Sequence, residues 1–246
     1  MKAKHQMNEI EATKQAALAR PDYLPQGNAG TEHIKKDDMQ MPRLGLAQAL
    51  SPQLIEGKPE YIPDLRAGQM FNTLSQQVYG KGPLTFSILR ADPPRGIEFN
   101  PRDAGGGVKD PNVPLDDPRM KFTTGPNGES INPIATKFYD FILEINGSEL
   151  IALSLKASGL KVARTLNGLI KLRNAPIWAG LYKVSSISVQ GPKGTYYTYA
   201  ISNAGWVSRE DAPRVENLFN GLRDVVVNIN REFSDADEDA PFGSDM

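Results

Sequence analysis

Two carboxylates and a lysine on a predicted hairpin come nearest to a catalytic pattern in this chain. Asp140 lies in the stretch TKFYDFILEI, and Glu149 and Lys156 lie in SELIALSLK, with the turn dipeptide Asn-Gly between the two stretches. Such a set on neighbouring strands could hold a metal ion for phosphodiester cleavage. A strand pair also carries charged side chains toward water with no chemistry attached. A metal-dependent nuclease is therefore only a lesser alternative.

Other catalytic classes lack the residues that they need. The chain has no cysteine, and its two histidines, His5 and His33, fall in a polar N-terminal stretch without partners at ligand spacing. No Gly-x-Ser-x-Gly motif is present, and the three glycines at 105–107 are not followed by the Lys-Ser/Thr of a phosphate loop. We therefore predict a protein that is not an enzyme and that needs no cofactor or metal.

The strongest statistical feature is a long stretch without acidic residues. Residues 151–208 contain no Asp or Glu, although the whole chain has 29 acidic residues in 246. A nearby carboxylate would repel phosphates, so this absence favours a face that binds a polyanion. A chance acid-poor stretch through a buried sheet is the alternative interpretation. The candidate phosphate contacts are Lys156, Lys161, Arg164, Lys171, Arg173, Lys183 and Lys193.

Aromatic residues concentrate in the same stretch. The segment GTYYTYAISNAGW, residues 194–206, carries three of the eight tyrosines and one of the two tryptophans. Exposed rings can stack on bases of any sequence while nearby lysines neutralise the backbone. Rings also pack well in a core, and strand alternation points about half of them inward, so the sequence leaves open which are exposed. The candidate stacking rings are Trp178, Tyr182, Tyr196, Tyr197, Tyr199 and Trp206.

The basic and aromatic residues follow a regular run of predicted elements. Residues 136–145 and 148–156 alternate like strands around an Asn-Gly turn, which predicts a β-hairpin. The apolar spacing that follows, from Leu160 to Ile170, predicts a helix, with Ser158 as its N-cap.

A second hairpin and a second helix complete the pattern. Residues 176–190 and 195–202 predict two strands, and Ser208 with Asp211 predicts a capping box before a C-terminal helix. Since the strand links are hairpins, we predict a mainly β fold with α: a partly open antiparallel OB-like barrel. One helix lies between its two hairpins and another follows them. An α+β sandwich of the same strands is the alternative.

Composition shifts divide the chain into three parts. We predict a flexible N-terminal arm at 1–42, one OB-like nucleic-acid-binding domain at 43–233 with a long loop at 101–133, and a disordered acidic tail at 234–246. Residues 84–90 and 96–100 predict one strand region interrupted by two prolines. The chain has no signal-peptide pattern and no apolar run long enough to span a membrane, so we expect a cytoplasmic protein.

Three phrases in the C-terminal two thirds resemble a known class of protein. LSLKASGLKVARTLNGLIKL, PIWAGLYKVSS and AGWVSRED are similar to phrases in bacteriophage single-stranded DNA-binding proteins, and the resemblance covers roughly residues 84–246. It implies an oligonucleotide-binding barrel that coats single-stranded DNA in replication and recombination, in the cytoplasm of the host cell. Long Pro- and Gly-rich arms also fit a phage structural or assembly protein, which is the main alternative. A homo-oligomer is compatible with either function.

The C-terminal segment DEDAPFGSDM adds a second resemblance. Bacterial single-stranded DNA-binding proteins end in an acidic segment closed by Pro-Phe, whereas here four residues follow Pro241-Phe242. The resemblance implies a tail that recruits replication or recombination proteins. A polyanionic tail can also compete with DNA for a basic groove. The candidate tail residues are Asp235, Asp237, Glu238, Asp239 and Phe242.

Overall fold

The computed structural model describes residues 30, 33, 41–101, 106–191 and 194–222. Most of the predicted N-terminal arm, Lys193 and the whole acidic tail lie outside the described residues. No helix in the described part of the chain is long and apolar enough to cross a membrane. All the elements discussed below belong to one unit of the chain, Gln40–Met246.

Twelve strands and two helices are described. In chain order the strands are β1 Leu44–Leu46, β2 Met70–Asn72, β3 Val78–Gly80, β4 Leu84–Ala91, β5 Arg95–Phe99, β6 Val108–Val113, β7 Thr123–Thr124, β8 Ser130–Ile131, β9 Ala135–Ile145, β10 Glu149–Leu155, β11 Gly180–Gly191 and β12 Gly194–Trp206. The helices are α1 Gly159–Leu172 and α2 Ala212–Leu222. Short 3-10 turns occupy Pro52–Leu54, Pro118–Met120 and Ile177–Ala179.

Both predicted hairpins are present. In the β9–β10 hairpin, Asn146 and Gly147 have φ angles of 50° and 74°, the left-handed conformation that a type I′ turn requires at both central residues. The β11–β12 hairpin is longer than predicted and has a bulge between Leu181 and Tyr182. The sequence pattern found these hairpins because turn and strand signals lie next to each other in the chain.

The hairpins join one antiparallel sheet of seven strands. Its order is β12-β11-β4-β9-β5-β6, and β10 also pairs with β9. β4 pairs with the C-terminal half of β9 and β5 with the N-terminal half, on either side of the break at 92–94. The sheet does not close into a barrel. The predicted mainly β, antiparallel and partly open fold, with a helix between two hairpins and a C-terminal helix, is confirmed.

The region predicted as a long loop contains more structure than its composition indicated. β6 pairs with β5, and β7 pairs with β8 in a small ribbon. β6 includes Pro111, and a proline is tolerated there because β6 lies at the edge of the sheet. The density of Gly, Pro and Asp therefore concealed an edge strand.

The main core lies between α1 and one face of the sheet, here called the inner face. Ala163 and Leu166 of α1 are fully buried against residues such as Leu143, Leu153 and Val184. The predicted capping bond at the start of α1 is wrong. Ser158 already has helical φ and ψ angles of −59° and −25°, and its hydroxyl makes no capping hydrogen bond.

α2 begins at the predicted capping box. The Ser208 hydroxyl accepts a hydrogen bond from the Asp211 N–H at 3.0 Å, so this prediction is confirmed. Val215 of α2 is buried, and Arg214 forms an ion pair with the carboxylate of Glu144 on β9. Because Glu144 alternates with the inward-facing Leu143, α2 docks on the outer face of the sheet.

A short segment that contains β1, residues 42–48, connects β10 and β12, each of which pairs with a single strand of the sheet. We call it the strap. The Ala152 N–H of β10 donates to the Pro42 carbonyl oxygen at 2.8 Å. At the other end, the side-chain amide of Gln48 forms two 2.9 Å hydrogen bonds with the backbone N–H and carbonyl of Tyr197 on β12. The strap thus spans the opening between β10 and β12.

Replacing Gln48 by alanine should lower the free energy of unfolding by about 2 kcal/mol, because both backbone groups of Tyr197 lose their partner in a half-buried place. Urea denaturation measures the change. Gln53→Ala is the matched control, since the Gln53 side chain makes no hydrogen bond among the described residues. An equal loss in the two variants would contradict the role assigned to Gln48.

Candidate nucleic-acid interface

The outward side of α1 carries a line of basic residues. Lys161, Arg164 and Lys171 are spaced by three and seven residues and are exposed, whereas Ala163 and Leu166 face the core. We call these three residues the basic ridge. Residues at this spacing share one side of a helix, and the 14-residue α1 is about 21 Å long. Within the described residues, neither Lys161 nor Lys171 forms an ion pair. The ridge therefore places two ammonium groups and one guanidinium along one side of α1.

The C-terminal end of α1 leads into a stack of three side chains. The Arg173 guanidinium lies 4.6 Å from the ring centroid of Tyr182 and 4.6 Å from that of Trp206. It also donates hydrogen bonds to the carbonyl oxygens of Leu181, at 3.0 Å, and of Gly205. We call this arrangement the Arg173 stack. Arg173 was predicted to contact phosphate, but its N–H groups instead hold the β11–β12 hairpin together.

The Arg173 stack leaves one ring accessible. Trp206 is 56% exposed, the largest exposure of any aromatic among the predicted stacking rings that the structure describes. Its contact with the guanidinium fixes the ring at the end of the basic ridge. A fixed, exposed ring beside a basic surface can stack on a base at low entropic cost.

Arg173→Ala should lower the free energy of unfolding by about 2 kcal/mol, because two backbone carbonyls lose a charged donor and two rings lose a cation–π contact. Arg173→Lys retains the charge but not the planar set of N–H donors that reaches both carbonyls, so it should recover less than half of the lost free energy of unfolding. Thermal unfolding followed by tryptophan fluorescence measures both. A native-like melting temperature for Arg173→Ala would contradict a structural role.

Two of the predicted stacking rings are core residues. Tyr182 is 1% exposed and Tyr199 is 9% exposed, and the Tyr199 hydroxyl donates to the Leu44 carbonyl oxygen at 2.7 Å. Burial raises the pKa of Tyr182. These rings cannot stack on a base in this structure. The reason is alternation, since both residues lie on the strand face that α1 covers.

The remaining candidates on the second hairpin are divided between its two faces. Lys183 lies between the inward-facing Tyr182 and Val184, so it points to the outer face, away from α1. Tyr196 points to the same outer face as Lys183, because it alternates with the inward-facing Tyr197 and Tyr199. Trp178 is half-buried in the 3-10 turn Ile177–Ala179. The structure therefore does not bring Lys183 or Tyr196 together with the basic ridge.

A cleft lies at the other end of the ridge. It forms where the strap, the end of β10, the start of α1 and β12 meet, and its lining includes Lys156, Tyr197 and Arg43. The Lys156 ammonium lies 5.6 Å from the ring centroid of Phe138. Sequence reasoning identified Lys156 and Tyr197 but missed Arg43 and Gln48, because no local pattern indicates that the strap reaches β12.

Comparison with protein families decides the class. A model of the Pam3 phage gp34-like proteins matches residues 11–228, which is most of the chain. The chain belongs to the Pam3 phage gp34-like protein family. The resemblance to phage proteins is thus confirmed at the level of a phage family. Comparison with curated proteins gave no match, and comparison with solved structures gave none either.

In this member of the gp34-like family, the residues of the nuclease alternative do not converge. Asp140 is buried and accepts a hydrogen bond from the Ser154 hydroxyl at 2.7 Å. Glu149 lies opposite Ile145, which is five residues after Asp140 on β9. The two carboxylate-bearing residues are therefore about 17 Å apart along the strands. Glu149 also accepts a 2.7 Å bond from the Tyr79 hydroxyl. Each carboxylate therefore has a structural partner of its own.

Proposed function

We propose that this phage protein binds single-stranded DNA without sequence preference, in DNA replication or recombination. The observation that supports this best is the basic ridge: three exposed basic side chains line one helix, in a stretch of 58 residues, 151–208, that contains no acid. Each phosphate that a Lys or Arg neutralises releases counterions, which provides affinity for any sequence.

The exposed ring of Trp206 supports the same function. It is the last residue of β12 and lies at the C-terminal end of the ridge, where its ring stacks on the guanidinium of Arg173. Stacking tolerates every base because each base has a flat aromatic face, so ring and ridge together predict binding to unpaired strands. A duplex keeps its bases stacked on one another and would use only the charges.

Tryptophan quenching by poly-dT tests the proposal. In a Trp178→Phe variant Trp206 is the single tryptophan, and its emission should fall on addition of poly-dT, with an affinity that decreases steeply as salt is raised. Duplex DNA at the same salt should bind more weakly. Absence of poly-dT binding at low salt would overturn the function.

The acidic tail belongs to the same proposal. Five carboxylates between 235 and 245, with no basic residue among them, form a polyanion that can occupy the ridge until DNA displaces it or can bind basic partner proteins. A chain that ends at Ser234 should therefore bind poly-dT more tightly at low salt. An unchanged affinity would restrict the tail to partner recruitment.

A second candidate function, in phage assembly, is favoured by the segment 106–134, which contains β6, β7 and β8 and which we call the β6–β8 arm. Five large apolar side chains of the arm are exposed to solvent, and exposed apolar surface often marks a contact between subunits. They are Val108, Leu115, Phe122, Ile131 and Ile134.

Ion pairs hold the arm to the sheet. The Arg119 guanidinium lies 2.7 Å from Glu98 on β5, 3.0 Å from Asp110 and 2.9 Å from Asp117. The hydrogen bond from Lys109, followed by that from Arg119, lowers the pKa of Glu98. The Asn112 N–H, followed by Arg119, lowers the pKa of Asp110, and Arg119 is the main cause of the lowered pKa of Asp117. An arm fixed in this way presents its apolar side chains in a defined place.

If the arm mediates assembly, the protein should form oligomers without DNA, and Phe122→Ser combined with Ile134→Ser should convert them to monomers. Sedimentation velocity measures the change in mass. Leu50→Ser is the control, since Leu50 is 68% exposed and lies outside the arm. A wild-type protein that is monomeric at all concentrations would exclude this function for the arm.

A further inference from the structure

The cleft beside the basic ridge has the size of a small ligand site. Its volume is about 150 Å³. Pockets that hold drug-sized molecules measure roughly 300–1,000 Å³. The cleft therefore has room for a single planar ring system rather than for a larger ligand or a duplex.

The charged side chains that line the cleft among the described residues are all basic. Among the described residues that line the cleft there is no Asp or Glu, whereas Arg43 and Lys156 supply positive charge. Metal ions and amines prefer carboxylates, so this lining disfavours them. The hydroxyl of Ser158, which makes no capping hydrogen bond, and the ring of Tyr197 can contact a base. The polar and aromatic lining residues include Gln48, Thr73, Ser154, Ser158, Tyr197 and Thr198.

The ring of Tyr197 is held in place from several directions. Its backbone is paired with the side chain of Gln48. Its ring lies directly against Gly68, where a Cβ atom would overlap it, and the Lys81 ammonium lies 5.4 Å from its centroid. Tyr197 is only half-buried. A ring whose position is fixed before binding loses little entropy when a ligand packs against it.

The cleft is continuous with the ridge. Lys156 to Ser158 line it, and α1 with Lys161 follows directly along the chain. Ala157, between Lys156 and Ser158, has a φ of 45°, a left-handed conformation that is unfavourable for a residue with a Cβ atom. Such strain tends to occur at functional sites, and here it forms the corner that places Lys156 and Ser158 at the cleft.

We propose that the cleft takes one nucleotide of the bound single strand, with its base against the Tyr197 ring and its phosphate near Arg43 and Lys156. This inference rests on the proposed function. It adds a second base contact to the one proposed for Trp206, and it places that contact at the N-terminal end of α1, whereas Trp206 lies at the C-terminal end.

Fluorescence anisotropy with two labelled probes tests the inference: a thymidine oligomer, and an oligomer of equal length and charge made of abasic deoxyribose phosphates. The wild-type protein should bind the thymidine oligomer at least about fivefold more tightly, since one stacked base is worth about 1–3 kcal/mol. Ser158→Trp fills the cleft without removing a capping bond. It should therefore lower the preference for thymidine over the abasic oligomer, and it should leave the steep salt dependence that the basic ridge provides. Ser202→Trp, at an exposed position on the outer face of β12, is the matched control.

The outcomes separate the two proposals. If no oligomer binds at low salt, the proposed function itself is wrong. If both oligomers bind with steep salt dependence and Ser158→Trp changes neither affinity, the proposed function stands and the nucleotide cleft is wrong. Should Ser158→Trp fail to fold, the wild-type protein still decides. Thymidine monophosphate, but not inorganic phosphate, should shift the backbone amide signals of Ser158 and Thr198 in NMR spectra, and equal shifts with both would overturn the base-binding role.

Discussion

Arg214→Ala should lower the free energy of unfolding by about 3 kcal/mol, because it leaves a buried carboxylate without its charged partner. The Glu144 side chain is 4% exposed and takes hydrogen bonds from two nitrogens of Arg214. The one other hydrogen bond described for this carboxylate is a long one of 3.5 Å from the Ser87 hydroxyl. Urea denaturation should show the loss as a lower midpoint.

A double variant separates the buried charge from the loss of packing. Glu144→Gln combined with Arg214→Ala leaves a neutral amide in place of the carboxylate, so it should be more stable than Arg214→Ala alone. Arg209→Ala removes an exposed arginine that precedes α2 and should leave stability within about 0.5 kcal/mol of the wild type. If Arg214→Ala behaves like Arg209→Ala, the ion pair does not anchor α2.

Replacing the whole basic ridge by glutamine should weaken binding of poly-dT by roughly 100-fold at about 0.1 M salt. For single strands each neutralised phosphate contributes about 0.7 to the slope of log affinity against log salt, so three lost contacts reduce that slope by about 2. Titrations at several salt concentrations measure both quantities. The variant is Lys161→Gln, Arg164→Gln and Lys171→Gln together.

The matched control removes the same number of charges from other elements. Lys58, Lys121 and Lys183 are exposed, and Lys183 points away from α1. Their triple glutamine variant should change the slope by much less than that of the ridge. Similar losses in the two triple variants would mean that the protein attracts DNA by its overall charge and that α1 has no special role.

Local signals in the sequence predicted most of the secondary structure. The Asn-Gly dipeptide at 146 and 147 defines its hairpin because both residues tolerate left-handed φ angles. The stripe that includes Ala163 and Leu166 predicted α1, and these residues are buried as expected. The Ser208 cap also depends on neighbours three residues apart. In each case the deciding interaction lies within a few residues of the chain.

The candidate interface was harder to predict because its contacts are distant in sequence. Strand alternation indicated that about half of the tyrosines face inward, but which half depends on the face that α1 covers. Arg173 has the sequence signature of a phosphate contact, and only the position of Trp206, 33 residues later, shows that it forms a stack. Gln48 and Tyr197 are 149 residues apart, so no window of sequence could connect them.

One stretch of the outer edge of β12 is closed by a side chain. The Gln48 amide bonds to both the backbone N–H and the carbonyl oxygen of Tyr197. An incoming strand needs free backbone N–H and carbonyl groups, and Gln48 occupies one such pair without offering new ones in a strand-like row. The strap should therefore oppose strand-to-strand aggregation along this stretch of β12.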